Sequence, residues 1–194
     1  IARSVARYAA DGRGGLGKQV LYAAYPLFRP IAGYWELIHE RRGSKLGGTV
    51  ILAAVTAGEV LRVMLTDGLF AGEADSNGLL RAVIGTAGVI LLFVLANWCL
   101  TTLMDGKARM GQIYTVCTYA MLPLLIGDIL TVPLSHVLLL DEGGYLTFIR
   151  GLTVAWVVLL LFCGIMTIQQ YGFLKNIGTM VLTVAVMAIV TFLL

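Results

Sequence analysis

Five stretches of the chain are apolar almost without interruption, and they predict the architecture. They cover residues 46–66, 79–104, 112–134, 148–168 and 177–194. Each approaches or exceeds the roughly 18–20 residues that a helix needs to cross about 30 Å of hydrocarbon. The runs are continuous instead of alternating, which predicts spanning helices and not barrel strands. The second is long enough to tilt. Pro123 and Pro133 interrupt the third and predict a bent or partly re-entrant course. The expected fold class is an all-α integral membrane protein with five transmembrane helices.

Residues 19–45 read as a separate interfacial segment ahead of the spans. Val20, Leu21, Tyr22, Tyr25, Phe28, Ile31, Tyr34, Trp35 and Ile38 are apolar or aromatic, but Pro26, Arg29 and Pro30 break the run. Ile31, Trp35 and Ile38 fall at i, i+4 and i+7, with Glu36, His39 and Glu40 turned away. That is the pattern of an amphipathic helix lying among headgroups. Residues 1–18 read as a flexible, basic, cytoplasmic segment without a signal peptide, and residues 46–194 as the five-helix domain. No repeat of useful period is present.

Composition closes off the soluble classes. Hydrophobic residues make up 59% of the 194 and charged ones 13%, with mean hydropathy +0.89; a soluble domain carries roughly 25% charged residues. The net charge of +3 matters through its distribution. Arg3, Arg7, Arg13, Lys18, Arg29, Arg41, Arg42 and Lys45 precede the first span or open it, opposed there by Asp11, Glu36 and Glu40. Acidic connections (Asp67, Glu73, Asp75; Asp141, Glu142) alternate with basic ones (Lys107, Arg109; Lys175). This phase places the N-terminus inside and the C-terminus outside, with Arg81 and Arg150 snorkelling at outer span ends. No base-stacking surface accompanies the basic residues, so nucleic acid is not an expected partner. Cys99, Cys117 and Cys163 lie in apolar runs without paired spacing and read as small buried hydrophobes.

Two polar groupings inside the spans are candidates for function. Glu59 and Arg62 stand at i, i+3 in the first span, and Asp128 is in the third. Ionisable residues cost about 2.5–3.5 kcal/mol each on insertion and require partners. Glu59 and Asp128 lie at roughly 20 and 24 Å from the inner end, in one layer with Arg62, Arg81, Arg150 and His136. The layer is either a polar or ion site open to the outside or a salt-bridge cluster holding helices in register. Asn97, Thr101 and Asp105 fall on one helical face, flanked by Trp98. With Gln112, Gln169 and Gln170 they form either a cytoplasmic-side pocket or partner face, or interhelical hydrogen bonds and helix caps. The stretch 12–19 satisfies G-x-G-x-x-G and nearly a P-loop, but no strand is expected before it and Gln19 replaces the hydroxyl. It reads as a linker, and neither nucleotide nor any other cofactor or metal is expected. Small residues (Ala53 with Ala57, Ala54 with Gly58, Gly85 with Gly88) permit close helix approach. No nucleophile–base spacing argues for an enzyme.

Two stretches carry a family resemblance. Residues 30–43, PIAGYWELIHERRG, precede the first span. Residues 97–106, NWCLTTLMDG, are followed by Gln112-Ile113-Tyr114 and by YAMLP over 119–123. With five spans and a cytoplasmic N-terminal segment, residues 26–194 resemble the Yip1-domain family in its Firmicute-type bacterial form. The resemblance implies five transmembrane helices and no known catalytic activity. Eukaryotic members act in vesicle traffic and bind prenylated small GTPases or one another. Their Asp-Leu-x-Gly-Pro-like motif is missing here, so GTPase binding is not carried over. Bacterial relatives are membrane proteins of undefined role, some encoded beside transporter components. Glu36, Asn97, Trp98, Asp105, Gly106, Tyr114, Tyr119 and Pro123 are the motif positions. The expected function is a non-enzymatic multi-pass adaptor, scaffold or accessory subunit. It would pack against lipids and other integral membrane proteins, a transporter among them, or against itself, in a bacterial plasma membrane. The alternatives are a small transporter or channel-like component, or a lipid-handling, bilayer-shaping protein.

Overall fold

The computed structural model describes residues 16–39, 43–65, 76–136 and 143–193. Residues 12–15 of the glycine-rich 12–19 stretch, the acidic connections, Glu40, Arg41 and Arg42 lie outside these residues. Among the described residues three short helices come first: α1 (Leu16–Tyr22), α2 (Ala24–Phe28) and α3 (Pro30–His39). Pro30 opens α3, where its missing N–H leaves no helical bond unmade. Then comes α4 (Lys45–Leu65), with Ser44 as its cap: Gly47 N–H donates to Ser44 Oγ at 2.9 Å. The second span is assembled from α5 (Ser76–Val83), one π-helical turn (Ile84–Gly88) and α6 (Val89–Leu103). α7 (Met110–Ala120) and α8 (Leu122–Ser135) make the third span, α9 (Gly143–Gln169) the fourth and α10 (Phe173–Leu193) the fifth. All five are long and apolar enough to cross a membrane, and there is no strand among the described residues.

The prolines act as their chemistry requires. The third span breaks at Met121, and Pro123 occupies the first turn of α8, where no donor is needed. Pro133 falls in the last turn of that helix. The fourth and fifth spans start five and four residues earlier than the apolar runs suggest. The fourth begins at Gly143 and not near 148, and the fifth takes in Lys175, whose ammonium turns back to the Met104 carbonyl at 2.9 Å.

The third span is the axis of the bundle: α4, α6 and α9 pack around α7, and α4 and α9 around α8. Its buried residues include Ile113, Val116, Cys117, Tyr119 and Ala120, facing Val55 of α4 and Leu160 and Ile165 of α9 in one apolar core. α10 packs mainly on α6 at the periphery. The outer surface is apolar on every span: Leu61, Leu91, Ile129, Leu159 and Val181 are all exposed. In water such a belt would aggregate; in hydrocarbon it is the matched surface, provided that backbone and polar side chains are satisfied within. Buried threonines meet that condition locally. Thr101, Thr115, Thr131, Thr179 and Thr183 each donate to the carbonyl four residues earlier.

The N-terminal helices are packed on this bundle. Tyr22, Ala23, Tyr34 and Leu37 have no exposed surface. The face of α3 that turns inward is Gly33, Tyr34 and Leu37, with the Tyr34 ring beside Gly164 of α9. Ile31 and Trp35 are exposed, and the Trp35 ring stacks on His39 at 3.7 Å. Glu36 therefore does not turn away to water as expected. It is half-buried and accepts hydrogen bonds from the hydroxyls of Tyr22 (3.1 Å) and Tyr25 (3.5 Å). Those two phenols are supplied by the preceding short helices, which a reading of α3 as an isolated amphipathic helix leaves out.

Candidate functional site

Glu59, Arg62 and Asp128 meet, and a fourth charge joins them. Glu59 and Arg62 are one turn apart on α4, and Arg62 Nε donates to Glu59 Oε2 at 2.9 Å. Arg62 Nε also lies 3.5 Å from Asp128 Oδ1 of α8. Arg150 of α9 bridges the acids: Nη1 donates to Asp128 Oδ1 at 2.8 Å and Nη2 to Glu59 Oε1. Arg150 was expected to snorkel at a span end. Because α9 starts at Gly143, it sits two turns inside and reaches inward. Two cations and two anions thus tie α4, α8 and α9 together at the end of the bundle remote from α1–α3. Gly58 makes the approach possible, since a Cβ there would lie 2.9 Å from Leu125 Cδ1 and 3.4 Å from Asp128 Oδ2. That second oxygen of Asp128 is buried without a hydrogen-bond partner. Arg81 and His136, placed in the same layer by sequence, are exposed on α5 and at the end of α8.

At the opposite end the grouping of Asn97, Trp98, Thr101, Asp105 and Gln112 divides. Asn97 and Thr101 are buried, and Asn97 Nδ2 donates to Thr183 Oγ1 of α10 at 3.1 Å. Trp98 is 37% exposed and faces outward. Asp105 is exposed because α6 has already ended: its φ of 55° turns the chain out of the helix, so the i+8 alignment is lost. Gly106 N–H then bonds the Thr101 carbonyl at 2.7 Å, closing the helix end in a Schellman-type turn. A Cβ at Gly106 would stand 2.6 Å from Gln169 Oε1 and 2.8 Å from the Thr101 carbonyl, so only glycine fits. Gln112 Oε1 accepts the Arg109 N–H at 2.9 Å and caps α7.

The loop so formed is held by the end of α9. Gln169 Oε1 accepts the Ala108 N–H at 3.0 Å, Lys107 donates to Gln170 at 2.7 Å, and the Tyr171 hydroxyl donates to the Met104 carbonyl at 3.2 Å. Burial, and the nearby Asp105 carboxylate, push the Tyr171 phenol above its ordinary range. Asn176, Thr179 and Thr183, all fully buried on α10, extend this contact. Sequence reasoning missed them, although polar residues at i, i+3 and i+7 in an apolar helix are the signature of an inward stripe.

The remaining motif positions join the N-terminal helices to the spans. The Tyr119 hydroxyl donates to the Gln19 carbonyl at 3.1 Å, and Tyr114 shares a hydrogen bond of 3.0 Å with Thr49. Gln19 Oε1 in turn accepts from Ser44 Oγ at 2.5 Å, so one residue of α1 is fixed to both α4 and α7. Glu36 and Pro123 act as described above. Among the described residues no group of three His, Cys, Asp or Glu side chains is placed to hold a metal ion, and all three cysteines are free.

Five apolar spanning helices, the third of them central and broken at Met121, with a docked aromatic N-terminal segment, define the class: a multi-pass α-helical membrane protein. The family model for the Yip1 domain matches residues 25–194, and the chain belongs to that family. No curated protein and no solved structure matches it.

Proposed function

We propose that the chain is a non-enzymatic membrane scaffold or accessory subunit that packs laterally against another integral membrane protein. A transporter component fits this reading, with residues 1–45 at the cytoplasmic face of a bacterial plasma membrane. The outer face of α4 carries the proposal. Leu46, Val50, Ala53, Ala57, Leu61 and Met64 recur at three- and four-residue spacing and are all exposed, with the two alanines at mid-helix. Lipid tails give helices no hydrophobic reason to associate, so close approach over small residues supplies the packing energy. Ala54 shares this exposure, whereas Gly58 is consumed by the contact with α8. The pairing of Glu59, Asp128, Arg62 and Arg150 with one another favours a supporting role for these charges over a conduction path.

The test is purification from native membranes in mild detergent, followed by native mass spectrometry, of the parent chain, Ala57→Leu, and Val181→Leu as a lipid-facing control. A stoichiometric membrane partner, or a second copy, lost in Ala57→Leu and kept in Val181→Leu is the expected result. Retention in all three removes α4 as the docking face.

A further inference from the structure

We infer that a cleft beside the charge cluster binds the phosphate of an anionic bilayer phospholipid, a property independent of the lateral docking proposed above. The cleft, of about 550 Å³, opens between α4, α8 and α9 and is lined by Arg62, Arg150, Thr131 and Thr147, with Leu146 and Val154 beside them. Small-molecule sites typically have about 300–1,000 Å³. The four charges sum to zero but are layered. The Glu59 and Asp128 side chains are only 5% and 2% exposed, whereas those of Arg62 and Arg150 are 28% and 34% exposed. The carboxylates therefore lie behind, offsetting the burial of the guanidinium groups and fixing their planes, while the more exposed Arg62 and Arg150 side chains line the cleft. A guanidinium has five N–H donors; Arg150 directs Nη1 and Nη2 to the acids, one bond from each. Its remaining donors, in planar array, suit phosphate oxygens.

Depth and lining select a lipid over a soluble anion. Arg62 is three residues from the end of α4 and Arg150 seven from the start of α9, about 5 and 10 Å along the helices. That is headgroup-to-glycerol depth, and Leu146 and Val154 provide an apolar flank for the start of an acyl chain. The connections at this end carry Asp67, Glu73, Asp75, Asp141 and Glu142 in sequence. A general positive potential is therefore not what attracts the anion; local donors must do it.

The experiment uses the full chain, delipidated in mild detergent, with native mass spectrometry and thermal unfolding in the presence of phosphatidylglycerol, diacylglycerol or inorganic phosphate. Three variants accompany it. Gly151→Trp fills the cleft from a position with no atom within 4 Å of a Cβ, Arg150→Lys keeps the charge but not the planar fork, and Thr147→Val removes a lining hydroxyl. Phosphatidylglycerol should bind at one per chain and raise the unfolding temperature, with diacylglycerol inert. Affinity should fall about tenfold in Gly151→Trp and Arg150→Lys, and less in Thr147→Val. An unchanged lipid-free melting temperature in Gly151→Trp shows that the fold is intact, and that variant decides if Arg150→Lys does not fold. Equal phosphatidylglycerol binding by parent and Gly151→Trp overturns the site. Equal stabilisation by diacylglycerol overturns phosphate recognition, and equal stabilisation by inorganic phosphate overturns the lipid as its source.

Discussion

At the end of the bundle bearing Arg62 and Arg150, four full charges meet across three helices; at the end bearing Asn97 and Gln169, the buried junctions are made by neutral amides, hydroxyls and carbonyls, and the exposed Lys107 and Lys175 donate only to neutral acceptors. Both arrangements keep polar groups away from lipid, but they fail differently. A neutral group left without a partner is tolerated: Asn97 Oδ1, Asn176 Oδ1 and Gln169 Nε2 are all buried without one. A charge left alone in the same medium is not, because its desolvation is no longer offset. The charged end is thus held all-or-none, and the neutral end is built from small increments.

The largest predicted effect exploits that asymmetry. Arg150→Leu leaves Glu59 and Asp128 facing a single cation and should destabilise the protein by about 3–5 kcal/mol. Adding Glu59→Gln to it restores charge balance between Arg62 and Asp128, and should recover part of the loss. Reversible unfolding in mixed detergent micelles measures both. A single variant no worse than the double would mean that the cluster does not act as a unit.

The neutral end should break hardest where geometry, not hydrogen bonding, is at stake. Gly106→Ala forces a methyl against Gln169 Oε1 and the Thr101 carbonyl, and the latter, being backbone, cannot step aside. Overpacking of this kind costs about 1–3 kcal/mol. The same unfolding measurement, with faster proteolysis within residues 104–109, is the expected signature. Asn97→Leu should cost less. It removes one interhelical hydrogen bond to Thr183, and such bonds average about 0.6 kcal/mol and reach about 1.7 kcal/mol. A loss comparable to that of Arg150→Leu would show that the neutral end is also cooperative.

What the sequence disclosed follows the same division. The five spans are written in runs of apolar residues, and the break at Pro123 in the missing N–H of proline. Glu59 and Asp128 announce themselves because a carboxylate in a span is rare and expensive. Arg150 was visible as a charge but not as a partner, since the apolar run begins near 148 whereas the helix begins at Gly143, two turns ahead of it. Asp105 was assigned to the face of Asn97 because periodicity carries no notice of a left-handed residue ending the helix. Glu36 was assigned outward because its partners, Tyr22 and Tyr25, come from separate short helices whose packing no local pattern encodes. The polar stripe of α10 was legible in principle, but threonines and an asparagine in an apolar helix attract less notice than charges.

The smallest effect tests whether an unpartnered neutral group is tolerated where α3 docks on the spans. Tyr34 is fully buried and its hydroxyl has no hydrogen-bond partner. Tyr34→Phe keeps the ring against Gly164 and deletes only that hydroxyl, so it should leave stability unchanged or raise it by up to about 1 kcal/mol. Burial also pushes the Tyr34 phenol well above its ordinary value. An acid whose folded value is raised keeps its proton in the native state while the unfolded chain releases it. Unfolding is therefore favoured increasingly above about pH 10, where the unfolded phenol ionises. The parent should lose stability through that range, and Tyr34→Phe should lose less. A stability–pH curve for Tyr34→Phe that matches the parent's above pH 10 would mean that water reaches the hydroxyl when α3 is docked.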